Sequence, residues 1–229
     1  MSTVLITGAN KGIGLELARQ LSARGDDVIA CCRNPAAATD LNKLDKARVV
    51  VKEVHVGDAD SVAKLKSDLG DRPIDVLINN AGAAGPAPQN QSALQMDYDG
   101  WMDTFAINTM APLRMVQTFH GNLKAGTNAK AVTITSQMGA LDLNMPVMYA
   151  YCSSKAAVNK VMRMLSTELA KDGVAVTLIH PGWVKTDMGG AGADITAQES
   201  AAGIISVVDG VSVESTGRFY KWNGEGHAW

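Results

Sequence analysis

Short apolar runs alternate with amphipathic stretches along the whole chain. The runs are rich in Val, Ile and Thr and most are apolar at every position, which is typical of parallel strands buried on both faces. The predicted strands are Thr3–Thr7, Val28–Cys32, Val49–Val54, Val76–Asn79, Ala131–Thr135, Val174–Ile179 and Arg218–Trp222. The predicted helices between them are Gly12–Arg24, Ala59–Leu69, Met96–Leu123, Tyr151–Lys171 and Ala197–Val208. This alternation predicts an α/β fold with a doubly wound, seven-stranded parallel sheet and helices on both faces.

Composition and charge narrow the class of protein. The chain has 229 residues, 46% of them hydrophobic and 19% charged, so we expect a single globular domain over residues 1–229. A net charge of −2 argues against nucleic acid or a membrane surface as a main partner. No apolar stretch approaches the roughly 18 residues that span a bilayer. The three cysteines, two of them adjacent, indicate a reducing compartment, and we expect a cytoplasmic protein.

The loop after the first strand is rich in glycine. Ligands of open parallel sheets bind beyond the carboxyl ends of the strands, so the residues that follow each strand are candidate site residues. Here the segment 7–14 reads TGANKGIG and leads into the first helix, whose N-terminus would face an anion such as a pyrophosphate. The expected cofactor contacts are Gly8, Asn10, Lys11, Gly12, Ile13 and Gly14. A glycine-rich turn without a ligand is the alternative.

The end of the second strand carries a cation where an acid is common. Dinucleotide-binding folds often place Asp or Glu about 20 residues after the glycines, to hold a ribose 2′-hydroxyl. Arg33 and Asn34 occupy that region in this sequence. A guanidinium pairs with a 2′-phosphate that a carboxylate would repel, and Lys11 would supply a second cation, which favours NADP(H). A solvated surface arginine is the alternative.

Two later strands also end in small or turn-forming residues. Asn79-Asn80-Ala81-Gly82 follows the fourth strand and lets the chain pass close to a flat ligand, although a plain turn has the same composition. The segment 180–186 follows the sixth strand and reads HPGWVKT. Thr186 is placed to bond a carboxamide. His180 has no acidic partner nearby in the sequence and is interpreted as structural.

Tyr151 and Lys155 form the strongest candidate for chemistry. They stand at i and i+4 of a predicted helix and therefore on one face of it. An ammonium group beside a phenol favours the phenolate and lowers the pKa of the tyrosine. Ser136, at the end of the fifth strand, would reach a substrate oxygen. Such pairs also occur by chance on helix surfaces; Tyr149 has only Ser153 at i+4.

Taken together, these motifs resemble the short-chain dehydrogenase/reductase superfamily. TGxxxGIG at 7–14, NNAG at 79–82, Asn108, Ser136, YxxxK at 151–155 and PG at 181–182 occur in the family's order over essentially the whole chain. Residues 32–35, 149–151, HPGWVKTDMGG at 180–190 and Trp229 resemble its sniffer and C-factor-like carbonyl reductase branch.

The resemblance implies a Rossmann fold, a nicotinamide cofactor and hydride transfer at a carbonyl carbon. It assigns Tyr151 as the acid/base, Lys155 as its pKa tuner and ribose ligand, Ser136 as donor to the carbonyl oxygen and Asn108 as a member of a proton relay. The further cofactor contacts that it implies are His55, Val56, Asn80, Ala81, Gly82, Tyr151, Lys155, Pro181, Gly182, Val184 and Thr186. No metal site is expected, because no metal-ligand spacing occurs.

A proline supports the Asn108 assignment. Pro112 lacks an N–H, so the carbonyl of Asn108, four residues earlier, loses its partner in the predicted helix. A freed carbonyl would hold a water that links Lys155 to solvent. A simple proline kink is the alternative.

Two departures from the family pattern concern ligand contacts. His55 stands where the family has an Asp that contacts the adenine, which places that bond in doubt. Ser136 and Tyr151 are further apart than is usual, so the loop Leu141–Met148 would shape a different substrate pocket. We expect an apolar pocket lining, with part of the methionines filling the core instead. The expected lining residues are Met138, Leu143, Met145, Met148 and Trp183.

The sequence thus predicts an NADPH-dependent reductase of apolar ketones or aldehydes. Two alternatives stay open: a cofactor-binding signalling protein of the C-factor type with little turnover, and the same chemistry run in the oxidative direction. The expected partner is a small carbonyl or alcohol substrate. Because the family often pairs through the helices that carry Asn108 and Tyr151, a homodimer or homotetramer is expected.

Overall fold

The computed structural model describes residues 1–144 and 146–229, which contain one seven-stranded parallel sheet. The strands are β1 (Thr3–Thr7), β2 (Asp27–Cys32), β3 (Val49–Glu53), β4 (Val76–Asn79), β5 (Lys130–Ile134), β6 (Ala175–His180) and β7 (Phe219–Lys221). Their order is β3-β2-β1-β4-β5-β6-β7, and every neighbouring pair is parallel. The doubly wound sheet predicted from the apolar runs is confirmed.

Helices cover both faces of this sheet because most strand residues are apolar on both sides. The α-helices are α1 (Gly12–Arg24), α2 (Ala59–Leu69), α3 (Tyr98–Phe105), α4 (Ala111–Thr118), α5 (His120–Lys124), α6 (Tyr149–Leu169) and α7 (Ala197–Gly210). One core lies between the sheet and α2, α4 and α6, and includes Leu77 and Met115. The other lies under α1 and α7 and includes Ile6 and Ile204. The two cores hold the strand ends in fixed positions relative to one another.

The long helix predicted over Met96–Leu123 is wrong. A π-helical turn, Ala106–Met110, follows α3, and the N–H of Ala111 bonds the carbonyl of Ala106, one residue further back than in an α-helix. The break has a local cause, since Pro112 removes an N–H and its ring clashes with the preceding turn. A second break separates α4 from α5 at Phe119. The proline therefore interrupts the α-helix at the turn that carries Asn108.

The start of α6 also differs from the prediction. The helix begins at Tyr149, two residues before the predicted start, and ends at Leu169, after which Ala170–Asp172 form a 3₁₀ turn. Where a strand end differs from its predicted position, the difference is one residue. The strand β6, for example, is Ala175–His180 and was predicted as Val174–Ile179. The reversal of strand order lies between β1 and β4, so a crevice opens beyond their carboxyl ends.

Candidate active site

A cavity of about 660 Å³ lies at the carboxyl edge of the sheet. Its size is within the range of roughly 300–1,000 Å³ that is typical of cofactor and small-molecule sites. Most of the residues expected to contact a cofactor line it: Gly8, Asn10, Lys11, Gly12, Ile13, Gly14, Arg33, His55, Val56, Asn80, Ala81, Gly82, Tyr151, Lys155, Pro181 and Thr186. The tertiary structure thus brings the ends of β1 to β6 to one site.

The floor of the cavity is a tight junction between the loops after β1 and β4. The Asn80 Nδ2 donates to the carbonyls of Thr7 (3.0 Å) and Gly8 (3.1 Å). Gly8 has φ +67, and a Cβ there would lie 2.9 Å from the Cα of Ala81. A Cβ on Gly14 would collide with the carbonyl of Gly8. Only glycine permits this approach, which leaves room above the N-terminus of α1.

That helix terminus is chemically suited to a phosphate. The first turn of α1 contains no acidic residue, and no side chain caps its N-terminus. Its backbone N–H groups and helix dipole therefore favour an anionic ligand at this point. The glycine cradle and the uncapped helix fit the pyrophosphate of a dinucleotide.

Cationic groups stand at the end of the cavity near β2 and β3. Arg33 is exposed, lines the cavity and forms no ion pair within the part of the chain that is described. Lys11 also lines it, but its Nζ lies 2.7 Å from the Oδ2 of Asp187. His55 is exposed at the same end, and its backbone N–H bonds the Oγ of Ser61. Unlike Lys11, Arg33 is therefore able to meet a 2′-phosphate without breaking an ion pair.

Tyr151 and Lys155 line the other end of the cavity, and Ser136 is buried beside Tyr151, outside the lining. The Nζ of Lys155 is 5.7 Å from the centre of the Tyr151 ring and donates to the carbonyl of Ile134 at 3.0 Å. Burial lowers the pKa of Lys155 to about 8. Ser136 lies close enough to Tyr151 to lower the pKa of its phenol, and the Ser136 Oγ accepts from the N–H of Met138.

The electrostatics of Tyr151 differ from the sequence prediction. Burial raises the pKa of Tyr151, because it disfavours the phenolate, and the neighbouring Ser136 only partly opposes this. Lys155 does not contribute the expected lowering of the Tyr151 pKa. Tyr151 is therefore a protonated phenol at neutral pH.

Close packing keeps Ser136 against α6. The turn after β5 contains Gly139, where a Cβ would lie 2.6 Å from the backbone carbon of Lys155. Asn159 of α6 donates to the carbonyl of Gly139 at 3.3 Å and accepts from the Oγ1 of Thr135 at 2.6 Å. The end of β5 and α6 are thus joined directly, which fixes the distance between the serine and the tyrosine.

The Asn108 side chain is fully engaged by its surroundings. Its Oδ1 accepts from the N–H of Ala83 and its Nδ2 donates to the carbonyl of Ala83, both at 2.8 Å. The Nδ2 also donates to the Oγ of Ser154 at 3.0 Å. A Cβ on Gly82 would lie 3.4 Å from this Oδ1 and 3.7 Å from the Lys155 Nζ, so both side chains flank Gly82. Asn108 lies behind the cavity wall rather than in its lining.

Several expected contacts lie outside the cavity lining. Asn34 accepts a hydrogen bond from the N–H of Ala37, and Val184 is buried and pairs with Ile195. Gly182 packs near Ile195 and Trp222. The expected substrate-pocket residues Met138, Leu143, Met148 and Trp183 are also outside it, and Met145 is outside the described residues. Met138 and Met148 are half-buried and Leu143 and Trp183 are exposed. Neither of these two methionines fills the core, although we expected that part of the methionines would.

Sequence reasoning missed some residues that line the cavity. These are Cys32, Val54, Gly57, Ala83, Ala84, Ile107, Ile134, Thr135, Lys185, Asp187 and Met188. Lys185 and Asp187 flank Thr186 in the loop after β6. Their charge and their place after a strand could have marked them as candidate site residues. His180 agrees with its structural interpretation: its Nδ1 accepts from the N–H of Gln137 at 3.2 Å, and burial lowers its pKa to about 4.

Comparisons with known proteins identify the family of this chain. The family model described as short chain dehydrogenase matches residues 2–194. The chain belongs to the short-chain dehydrogenase family. This confirms the resemblance drawn from the motifs. Within the described residues, no helix is long and apolar enough to cross a membrane, and no cluster of His, Cys, Asp and Glu is arranged to hold a metal ion.

Two relatives of this short-chain dehydrogenase have informative names. It is 42% identical to "C-signal" of Myxococcus xanthus over 159 residues, which cover 69% of this chain and 93% of that protein. It is 37% identical to the 1-hydroxy-2-glutathionyl-2-methyl-3-butene dehydrogenase of a Rhodococcus species, with full coverage of both chains.

Two solved structures share the whole fold of this short-chain dehydrogenase. The carbonyl reductase Sniffer of D. melanogaster has a TM-score of 0.92 at 28% identity and full coverage of both chains. The NADPH-bound carbonyl reductase from chicken fatty liver has a TM-score of 0.89 at 30% identity and covers 100% of this chain and 99% of that one. The likeness to the sniffer and C-factor branch is confirmed, and a nicotinamide cofactor follows from the family.

Proposed function

We propose that this short-chain dehydrogenase is an NADPH-dependent reductase that converts an apolar ketone or aldehyde to the alcohol. The observation that carries the proposal is the position of Tyr151 and Lys155, with Ser136 beside the tyrosine, at one end of a cavity whose other end holds Arg33. The NADPH-bound carbonyl reductase among the structural relatives supports the same cofactor.

In this proposal the protein binds the cofactor along the cavity. The cradle at Gly8 and Gly14 and the N-terminus of α1 would hold the pyrophosphate, and Arg33 the 2′-phosphate. Lys155 would bond the nicotinamide ribose and Thr186 the carboxamide. The bound nicotinamide supplies the hydride that a carbonyl carbon accepts.

The proton comes from the protein. Ser136 would donate a hydrogen bond to the carbonyl oxygen while Tyr151 transfers its phenolic proton to that oxygen, so the carbonyl becomes an alcohol. Because its pKa is not lowered, Tyr151 carries this proton at neutral pH, as a general acid must. Lys155, with a pKa of about 8, is suited to return a proton to the phenolate.

Asn108 would complete the relay through its backbone. Its side chain is already used by Ala83 and Ser154, so the carbonyl of its peptide group, in the π-helical turn before Pro112, is the atom left to hold a relay water. That water would connect Lys155 to solvent.

The decisive experiment follows the loss of NADPH absorbance with a panel of aryl ketones, quinones and α-dicarbonyls. Tyr151→Phe should keep its fold and its NADPH affinity and lose turnover by at least about 100-fold. Tyr149→Phe is the matched control, because Tyr149 is on the exposed side of the same helical turn, and it should retain turnover. Equal turnover in wild type and Tyr151→Phe would remove the tyrosine from the mechanism.

A cofactor-binding signalling protein is the second candidate, favoured by the identity to "C-signal". A protein that only binds a dinucleotide needs no joined set of Asn108, Ser136, Tyr151 and Lys155. Tight NADPH binding without oxidation by any carbonyl in the panel would favour this candidate. The Rhodococcus relative is named a dehydrogenase, so the assay is also run with NADP⁺ and the corresponding alcohols.

We further propose a homodimer or homotetramer, located in the cytoplasm, that forms through α3, α4 and α6. Exposed methionines on α3, on the π-helical turn and on α6 support an interface there, because a second subunit would cover their apolar side chains. They are Met102, Met110 and Met164. Light scattering after size exclusion tests this, and a mass near 24.1 kDa would contradict it.

A further inference from the structure

The catalytic helix α6 has no cap of its own. Its N-cap residue, Met148, has φ 49 and ψ 53, a left-handed conformation that is uncommon outside glycine, and its side chain makes no capping hydrogen bond. The first N–H groups of a helix have no partner within the helix. Tyr151 is in this first turn, so its position depends on what satisfies these groups.

Gln91, which is distant in sequence and 1% exposed, satisfies two of them. Its backbone carbonyl accepts from the N–H of Tyr149 at 3.4 Å, and its Oε1 accepts from the N–H of Tyr151 at 3.3 Å. A side chain from another segment thus acts as the cap and contacts the peptide group of the catalytic tyrosine itself.

The amide of Gln91 is fixed by its other contacts. Its Nε2 donates to the carbonyls of Ala84 (3.0 Å) and Pro86. A flipped amide would place its oxygen against these two carbonyls, so one orientation satisfies all the contacts. A Cβ on Gly85 would lie 3.3 Å from the Nε2, so the segment is packed tightly around this group.

These bonds form part of a closed ring through the site. Ala84 lines the cavity, and the preceding Ala83 is bonded through both its N–H and its carbonyl to Asn108. Asn108 bonds Ser154, and the Oγ of Ser154 donates to the carbonyl of Tyr151 at 2.7 Å. The N–H of Tyr151 is therefore held by Gln91 and its carbonyl by Ser154.

We propose that Gln91 is a positioning residue, which sets the height of Tyr151 above the cavity by tying the first turn of α6 to the segment 83–91. It does not touch the cavity, so it acts through Tyr151. The inference rests on the proposed function of Tyr151 as the proton donor. A displacement of about 1 Å at a reacting group can cost on the order of 100-fold in rate.

The test compares Gln91→Met, which keeps the side-chain length and removes the polar atoms, with the control Gln95→Met, which changes an exposed glutamine of the same loop. Gln91→Met should lower kcat for carbonyl reduction at least about 10-fold and leave the Kd for NADPH within about twofold. Gln95→Met should match wild type. Should Gln91→Met not fold, Gln91→Asn, which keeps the amide but is one methylene too short to bond both Tyr151 and the segment 84–86, carries the same comparison.

Amide hydrogen exchange provides a readout that does not need turnover. Exchange in the first turn of α6, residues 149–152, should be faster in Gln91→Met than in wild type, with the core strands unchanged. Unchanged exchange or unchanged kcat would overturn the positioning role, and so would a parallel loss of kcat and NADPH affinity, which indicates general damage. If wild type reduced no carbonyl, the proposed function would fail. The exchange data would still show whether Gln91 holds the first turn of α6.

Discussion

The Nζ of Lys11 and the Oδ2 of Asp187 lie 2.7 Å apart and join the glycine loop to the loop after β6. Both residues line the cavity, and both side chains are largely exposed, at 67% and 78%. The ammonium group that was expected to bind a 2′-phosphate therefore already has an anionic partner. An incoming phosphate must share it or displace the carboxylate.

Asp187→Asn should strengthen NADPH binding. The change removes a competing charge from Lys11 and a repulsive charge from the phosphate end, so Kd should fall severalfold for NADPH and little for NADH. The effect is modest because exposed ion pairs are weak, and it should shrink at high salt. Fluorescence titration at two salt concentrations measures it, and Lys11→Ala should abolish the gain. A weaker affinity for NADPH in Asp187→Asn would refute the competition.

Arg33→Ala should weaken NADPH binding by about 10- to 100-fold, the range expected for losing charge-assisted hydrogen bonds to a phosphate. NADH lacks the 2′-phosphate and is the internal control, so its Kd should stay within about twofold of wild type. Arg33→Lys should lie between the two, because a lysine keeps the charge without the planar fork. Equal losses for both cofactors would show that Arg33 does not recognise the 2′-phosphate.

Lys155→Met should abolish turnover and stabilise the fold at neutral pH. The pKa of Lys155 falls from 10.5 to about 8 on folding, so the charged form destabilises the native state by up to about 3 kcal/mol below pH 8. Between pH 8 and 10.5 the unfolded chain binds more protons than the native one, so wild-type stability rises with pH. The advantage of the variant in thermal unfolding should shrink over this window. A difference in thermal stability between Lys155→Met and wild type that does not change from pH 8 to 10.5 would contradict the lowered pKa of Lys155.

His180 should make the protein sensitive to acid. Its pKa is lowered to about 4 from 6.5, so the unfolded state binds more protons between these values and stability falls as pH falls from 6.5 to 4. His180→Gln should flatten this dependence, at some cost from the contact with the N–H of Gln137. Urea unfolding across this range, with exposed His55→Gln as the control, measures the difference. A wild-type-like slope in His180→Gln would assign the acid sensitivity to another group.

The elements of the sheet were predictable because their causes are local. Residues 76–78 are apolar at successive positions, which is typical of a strand that is buried on both faces. The helix over 96–123 was predicted as continuous because its apolar spacing does not change at the break. Pro112 marked the place of the break, but it was used only to argue that the Asn108 carbonyl loses its partner.

The sequence by itself determined the fold, the family and the residues that could carry chemistry, since strand and helix patterns and motif spacings are properties of neighbouring residues. The tertiary structure decided which charges meet and what holds the tyrosine. The pairing of Lys11 with Asp187, the raised pKa of Tyr151 and the cap that Gln91 provides all depend on contacts between segments far apart in the chain. Burial and distance exist only once those segments have packed, and no local pattern encodes them.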